Sequence, residues 1–169
     1  MARETKQKDY KETLNLPRTP FPMRAKLSVR EPEILAGWKE KRLYDRLRAD
    51  RKGRTRYVLH DGPPYANNHI HLGTAVDKIQ KDMIVRSRSM MGYDAPYVPG
   101  WDCHGMPIEI YVQREFRERG EEPGLAELRS RCREFAGEWV AIQREEFERL
   151  GGWGAWDDPY LTMSKDYEA

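Results

Sequence analysis

Two short segments concentrate the residues that could do chemistry. The first is Pro64-Tyr65-Ala66-Asn67-Asn68-His69-Ile70-His71-Leu72-Gly73-Thr74, and the second is Gly100-Trp101-Asp102-Cys103-His104-Gly105. Each follows a short apolar run, the position where an α/β sheet usually holds its ligand. In the first segment Pro63-Pro64 stiffens the exit from the run, and Asn67-Asn68 tolerates left-handed backbone. His69 and His71 then arrive just before an expected helix start, with Gly73 leaving its first turn bare. An imidazole N–H and the N–H groups of a helix N-terminus both suit phosphate oxygens. The expected ligand is a triphosphate whose leaving group gains charge in the transition state. A plain polar turn carrying two histidines would use the same residues. His-x-His can also ligate zinc, but no Cys, Asp or Glu stands at usable spacing, so no metal site is expected.

In the second segment Asp102 carries a negative charge into the loop, where it could take an ammonium group as a charge-assisted hydrogen bond. Gly100 and Gly105 let the backbone turn sharply, and Trp101 is expected to wall the pocket. A tight turn anchored by one tryptophan is the plainer alternative. Cys103 beside His104 suggests a thiolate nucleophile, but adjacent residues of an extended segment point opposite ways.

The elements that must position these loops are legible in outline. Residues 1–12 are polar and charged and are expected to be disordered or loosely attached, and Leu14 to Lys26, broken by Pro17, Pro20 and Pro22, is expected to run extended. Ser28 and Glu31 form a capping box for one helix to Arg48, with Ile34, Leu35, Trp38, Leu43 and Leu47 at helical spacing. Arg56 to His60 reads as a buried strand ended by Asp61-Gly62-Pro63-Pro64. A helix over 73–90 turns Val76, Ile79, Met83, Ile84 and Met90 inward and stops at Gly92. Ala95 to Pro99 is a second extended segment, its prolines favouring a position with few ladder bonds. This is a β-α-β unit with parallel strands. Helices follow over 107–119, with Pro107 in its first turn, and over 125–150. The second buries Leu128, Cys132, Phe135, Trp139, Ile142, Phe147 and Leu150. The tail from Trp153 has no clear period. The fold class is α/β, divided into an N-terminal extension over 1–54 and an α/β part over 55–169.

Bulk properties narrow the function. The 169 residues suit one domain, and 38% hydrophobic against 34% charged content leaves a thin core. A net charge of +2, from 30 basic and 28 acidic residues, supplies no field for general nucleic-acid binding. The interleaving of Arg114-Glu115-Phe116-Arg117-Glu118-Arg119 reads as a solvated helix face. Cys103 and Cys132 make no disulfide framework, which points to a reducing cytoplasm. No window approaches the ~18 apolar residues of a membrane span.

The motifs then converge on a family. Asp61 to Gly73 (D-G-P-P-Y-A-N-x-x-I-H-x-G), Lys78 to Ser87 (K-I-x-K-D-x-I-V-R-S) and Tyr97 to Glu109 (Y-V-P-G-W-D-C-H-G-M-P-I-E) resemble the opening of the bacterial isoleucyl-tRNA synthetases, of class I. Thr13 to Arg24, Arg30 to Leu35 and Asp158 to Met163 extend the likeness along nearly the whole chain. G-W-D-C-H-G-M-P-I-E, Gly100 to Glu109, discriminates within the class, since the valine enzymes have a G-T-D-H-A type sequence and the leucine enzymes typically phenylalanine at the place of His104.

The resemblance implies the first half of a class I Rossmann-like fold. It also implies activation of isoleucine by ATP, with magnesium, to the adenylate, and transfer to tRNA(Ile) by a complete enzyme that is monomeric. Pro64 to Thr74 corresponds to the first signature motif. His71 matches its first histidine, while Thr74 stands where the usual H-x-G-H form has its second. Threonine can donate one hydrogen bond but carries no charge. Asp102 matches the carboxylate that holds the substrate amino group, and Gly62-Pro63-Pro64 matches part of the isoleucine pocket wall.

The second signature, K-M-S-K-S, the hydrolytic insertion, the anticodon-binding helices and the C-terminal zinc site are expected beyond residue 169. Thr162-Met163-Ser164-Lys165 looks like K-M-S-K-S but sits at the wrong place, and Asp166 departs from it. A stand-alone, non-catalytic module binding ATP, isoleucine or another synthetase fragment is the alternative function. The aromatic residues Trp153, Trp156, Tyr160 and Tyr167 are expected to face a part outside this chain and to leave apolar surface exposed.

Overall fold

The structure, a computed structural model, describes residues 10–15, 19, 20, 22 and 24–168. Expectations for residues 1–9, for Pro17 and for much of the Thr13 to Arg24 motif lie outside the described residues. After a 3-10 turn at Lys11–Thr13, the elements are α1 (Leu27–Glu40), α2 (Leu43–Arg51), α3 (Leu72–Met90), β1 (Gly100–Trp101), α4 (Met106–Arg119), α5 (Leu125–Arg149), β2 (Tyr160–Leu161) and α6 (Lys165–Glu168).

The helix expected from Ser28 to Arg48 is two helices. Arg42 takes a left-handed conformation (φ 47°) and its guanidinium bonds Asp45 at 2.8 Å. The break redirects the chain so that α2 docks on the 94–97 segment. There the Tyr44 hydroxyl donates to the Tyr97 carbonyl at 3.3 Å and accepts from its N–H at 3.2 Å, while Arg48 pairs with Asp94. The Ser28 capping box does not form, because α1 already begins at Leu27, on a left-handed Lys26 with no side-chain cap.

Parallel pairing organises the middle of the chain, but as bridges rather than long strands. Tyr57 N–H donates to Asp94 O and Asp94 N–H to Thr55 O, both at 2.9 Å, around the bridge Arg56–Asp94. Eight residues on, Asp102 N–H donates to Pro64 O at 2.8 Å and Ala66 N–H to Asp102 O at 2.9 Å, around the bridge Tyr65–Asp102. The strands expected over 56–60 and 95–99 therefore do not form ladders. Pro63, Pro64, Pro96 and Pro99 have no N–H to give, so the two segments pair at their ends and run unladdered between. With α3 between them they still make the parallel β-α-β crossover.

The tail holds an element that periodicity did not reveal. Its β2 pairs in parallel with β1, Gly100 with Tyr160 and Trp101 with Leu161. The 99–102 segment thus lies between 64–66 and 160–162.

One core packs β1, α4 and α5 through Trp101, Ile108, Val112, Phe116, Phe135, Ala136 and Phe147. A smaller one joins Val85, Ala95 and Tyr97. Pro107 lies in the first turn of α4, and Gly120, at φ 71°, ends that helix in the left-handed form that glycine takes freely. Trp156 packs against Trp101 and Phe147, and Trp153 meets Trp38 edge-on. These two tryptophans are therefore partners inside the chain rather than exposed surface, whereas Tyr167 is mainly exposed.

The expected inward face of α3 is reversed. Val76, Ile79, Met83, Ile84 and Met90 are exposed, and the buried residues are Lys78, Val85 and Ser89. A buried carboxylate draws the Lys78 edge of the helix inward. On α5, Ile142 and Leu150 also stay at the surface, and Gln143 takes the buried place expected of Ile142.

Candidate active site

The Tyr65–Asp102 bridge sets the two chemistry-bearing loops side by side, their backbones hydrogen-bonded at 2.8 and 2.9 Å. Their roots are joined by Asp61, which is 1% exposed. Its carboxylate takes Lys78 Nζ, Lys81 Nζ at 2.7 Å and the Gly100 N–H at 3.0 Å, while Tyr160 Oη donates to its carbonyl at 2.6 Å. Burial pushes this carboxyl up, but the Lys78 charge and these hydrogen bonds outweigh it and hold Asp61 below its ordinary range. Burial likewise pulls the Lys78 ammonium down, with the Asp61 charge opposing it. Burial and the Asp61 charge push the Tyr97 phenol up, so it stays protonated and accepts from Lys78 Nζ at 3.0 Å.

His71 is the N-cap of α3. Its Nδ1 accepts the Thr74 N–H at 3.2 Å, and Thr74 Oγ1 lies 3.3 Å from the ring. A backbone N–H can only donate, so Nδ1 is the acceptor and the neutral ring carries its proton on Nε2. No acidic residue stands in the first turn, and His71, Leu72 and Gly73 are exposed. The positive end of a 19-residue helix therefore faces outward beside an imidazole.

His69 is turned elsewhere. Its Nδ1 meets Glu146 Oε1 on α5, and its ring stands edge-on to Trp139 at 5.1 Å. Glu146 also takes the Ile70 N–H at 2.9 Å. His69 and His71 are thus engaged with different helices. Ala66 is fully buried, Asn67 Nδ2 reaches the Pro107 carbonyl at 3.4 Å, and Asn68 Oδ1 takes the His69 N–H at 2.8 Å.

In the other loop the Asp102 carboxylate is half-buried, with Oδ1 accepting from His104 N–H at 3.2 Å and Thr162 Oγ1 at 3.4 Å. Trp101 does not wall an open pocket. Its ring is 0% exposed, and Nε1 donates to Gln143 Oε1 at 3.0 Å, so it anchors the loop from inside the core. Cys103 is buried and its thiol pushed up by that burial, while His104 points out to the Thr162 carbonyl at 3.1 Å. The pair is no nucleophile and base.

Thr162-Met163-Ser164 belongs to this wall: Thr162 Oγ1 takes the Cys103 N–H at 2.8 Å. Two cavities, of about 770 and 500 Å3, lie to the sides, and no residue of the 64–74 loop lines either. That loop lies open. Sequence reasoning gave no role to Asp61, Lys78, Gln143 or Glu146. For the first two the signal was an aspartate ending an apolar run, with lysines one turn apart at 78 and 81.

Residues 33–169 match the family described as tRNA synthetases class I (I, L, M and V). The chain belongs to this class I tRNA synthetase family. It is 59% identical over 160 residues to the isoleucine–tRNA ligase of Geobacter sulfurreducens and 60% identical over 161 to that of Stenotrophomonas maltophilia. Each alignment covers 95% of this synthetase chain and 17% of the relative, so the chain spans about a sixth of their length. Among solved structures it is similar to the LeuRS of Agrobacterium radiobacter K84 in a ternary complex with tRNA and LeuAMS. The TM-score is 0.64 at 21% identity, over 85% of this chain and 16% of that one. That likeness carries the fold: helices around parallel strand pairs, as in the class I catalytic domain.

Proposed function

We propose that this chain carries two walls of the site at which an isoleucine–tRNA ligase activates isoleucine with ATP. Residues 1–54 would be an extension and 55–169 the first part of the catalytic domain. The observation that supports it best is the bridge joining Pro64–Ala66 to Asp102, which sets the loop leading to an exposed, histidine-capped helix N-terminus beside the loop that carries a half-buried carboxylate. The first suits a polyphosphate and the second an ammonium group. A substrate bearing both needs is an amino acid meeting ATP.

In this reading the isoleucine ammonium binds Asp102, with Gly62, Pro63, Pro64 and Gly100 beside it, and the α3 N-terminus receives the phosphates. The substrate carboxylate attacks the α-phosphorus, the bond to the bridging oxygen breaks, and pyrophosphate leaves. No protein nucleophile takes part. His71 donates from Nε2–H as negative charge grows on the leaving group, and Thr74 adds at most a neutral hydrogen bond. Orientation and charge stabilisation supply the acceleration. Magnesium would enter with ATP, as part of the nucleotide substrate. The relatives' names extend the reading to tRNA as acceptor, and the free thiols of Cys103 and Cys132 fit a reducing cytoplasm.

The test is a chimera in which this chain replaces the matching segment of the Geobacter sulfurreducens relative. Isoleucine-dependent ATP–pyrophosphate exchange is expected, together with its loss at low isoleucine in Asp102→Ala. A chimera that folds but exchanges with leucine or valine in preference to isoleucine, or an Asp102→Ala form unchanged in isoleucine KM, would overturn the reading.

A further inference from the structure

The buried side chain that touches both loops belongs to neither. Gln143, 3% exposed, lies on α5, remote in sequence from both. Its Nε2 donates to the carbonyls of Tyr65 at 3.0 Å and Asn68 at 2.6 Å, and its Oε1 accepts the Trp101 Nε1–H at 3.0 Å. Both amide protons and the amide oxygen are thus engaged, two on the 64–74 loop and one on the 100–105 loop. One turn along α5, Glu146 takes the Ile70 N–H and the His69 ring. The backbone from Tyr65 to Ile70 is therefore fastened to α5 at three points, by residues three apart on one helix face.

From this we propose that Gln143 is a positioning residue that fixes the phosphate-side loop against the amino-group-side loop; its bearing on catalysis rests on the functional reading above. Buried, with its amide engaged inside the chain, Gln143 has no polar atom to offer a substrate. A carbonyl needs a donor and an indole N–H an acceptor, and a carboxamide at this point supplies both kinds at once. Glutamate keeps an acceptor but has no donor when ionised and only one when protonated, against the two that the carbonyls need, and leucine supplies neither kind. The two substitutions should therefore release the loops in different combinations. Reacting groups held by separate loops lose rate steeply when their mutual placement loosens.

The experiment is amide hydrogen exchange on the 169-residue chain, reading residues 65–71 and 100–103 against the helical amides of α4 and α5. In Gln143→Glu, exchange at 65–71 should rise at least tenfold, while 100–103 and the helices stay within twofold of the parent. In Gln143→Leu both loops should open. Glu145→Ala, on an exposed position of the same helix, should leave all of them unchanged. A uniform rise across the helices, or no difference between the loops in Gln143→Glu, would overturn the proposal. Should Gln143→Leu fail to fold, Gln143→Glu alone decides.

In the chimera, Gln143→Glu should lower kcat for pyrophosphate exchange at least tenfold, with KM for isoleucine and for ATP within about threefold. An unchanged kcat would overturn the catalytic part. A parent chimera with no exchange at all would instead overturn the functional reading and that part with it. The loop-protection pattern would still decide whether Gln143 ties the loops.

Discussion

At the scale of single residues the proposed function divides the work of the two loops by charge. A charge-assisted hydrogen bond to Asp102 is worth about 1.5–3 kcal/mol, so Asp102→Ala should raise the isoleucine KM of the chimera about 10- to 150-fold and change kcat little. His71→Ala should lower kcat by about 100-fold, the cost of one donor aimed at developing charge, and leave isoleucine KM nearly alone. Steady-state exchange kinetics of both variants check the assignment, and the reverse pattern would exchange the roles. Gly100 is constrained by contact rather than by backbone angle. A Cβ built there would lie 2.0 Å from the Tyr160 ring. Gly100→Ala must push the ring or the loop aside, and overpacking of this kind costs about 1–3 kcal/mol. A lower denaturation midpoint at an unchanged slope is the expected result, and Tyr160→Ala in the same chain should relieve part of it.

Between elements, the Asp61 network joins the end of the first extended segment to α3, to the start of β1 and, through Tyr160, to β2. Removing one partner of a buried ion pair costs about 3–5 kcal/mol. Asp61→Asn should therefore lower the melting temperature markedly at pH 7. The sign of the pH dependence follows from the depressed carboxyl. Its stabilisation is complete above the ordinary aspartate value of 3.8 and is lost as pH falls from there through the lower folded value. In the parent the melting temperature should drop across that range, and in Asp61→Asn the drop should be shallower. Equal slopes in the two proteins would deny Asp61 this role. The same network explains the reversed face of α3, because an ammonium held by a buried carboxylate fixes the rotation of a helix more firmly than an apolar stripe with nothing to pack on.

Over the whole molecule, that rotation leaves Leu72, Val76, Ile79, Met83 and Met90 in a stripe along the outside of α3. A continuous exposed apolar face binds hydrophobic dyes and favours association. The chain should enhance ANS fluorescence while folded, and Met83→Glu with Met90→Glu should reduce that signal at least twofold without lowering the melting temperature. A parent with no ANS enhancement would contradict the exposed stripe. The tail does not add to this surface in the way its aromatic content suggests, since Trp153 and Trp156 are spent inside the chain.

The helices of the second half and the two polar loops were legible in the chain order, because Pro, Gly and paired polar residues act locally and leave marks at fixed spacing. The family followed from the same marks, and Gly120 stops α4 where a glycine should. The tertiary structure decided which groups meet. Pairing of β1 with a tail that has no period, the inward turn of Trp101, and the parting of His69 from His71 depend on partners dozens of residues away. Gln143 shows the physical reason most plainly. A glutamine beside Ile142 on an amphipathic helix reads as solvent-facing, since burying an amide is unfavourable unless every one of its hydrogen bonds is met. Only the fold brings Tyr65, Asn68 and Trp101 to one point to meet them.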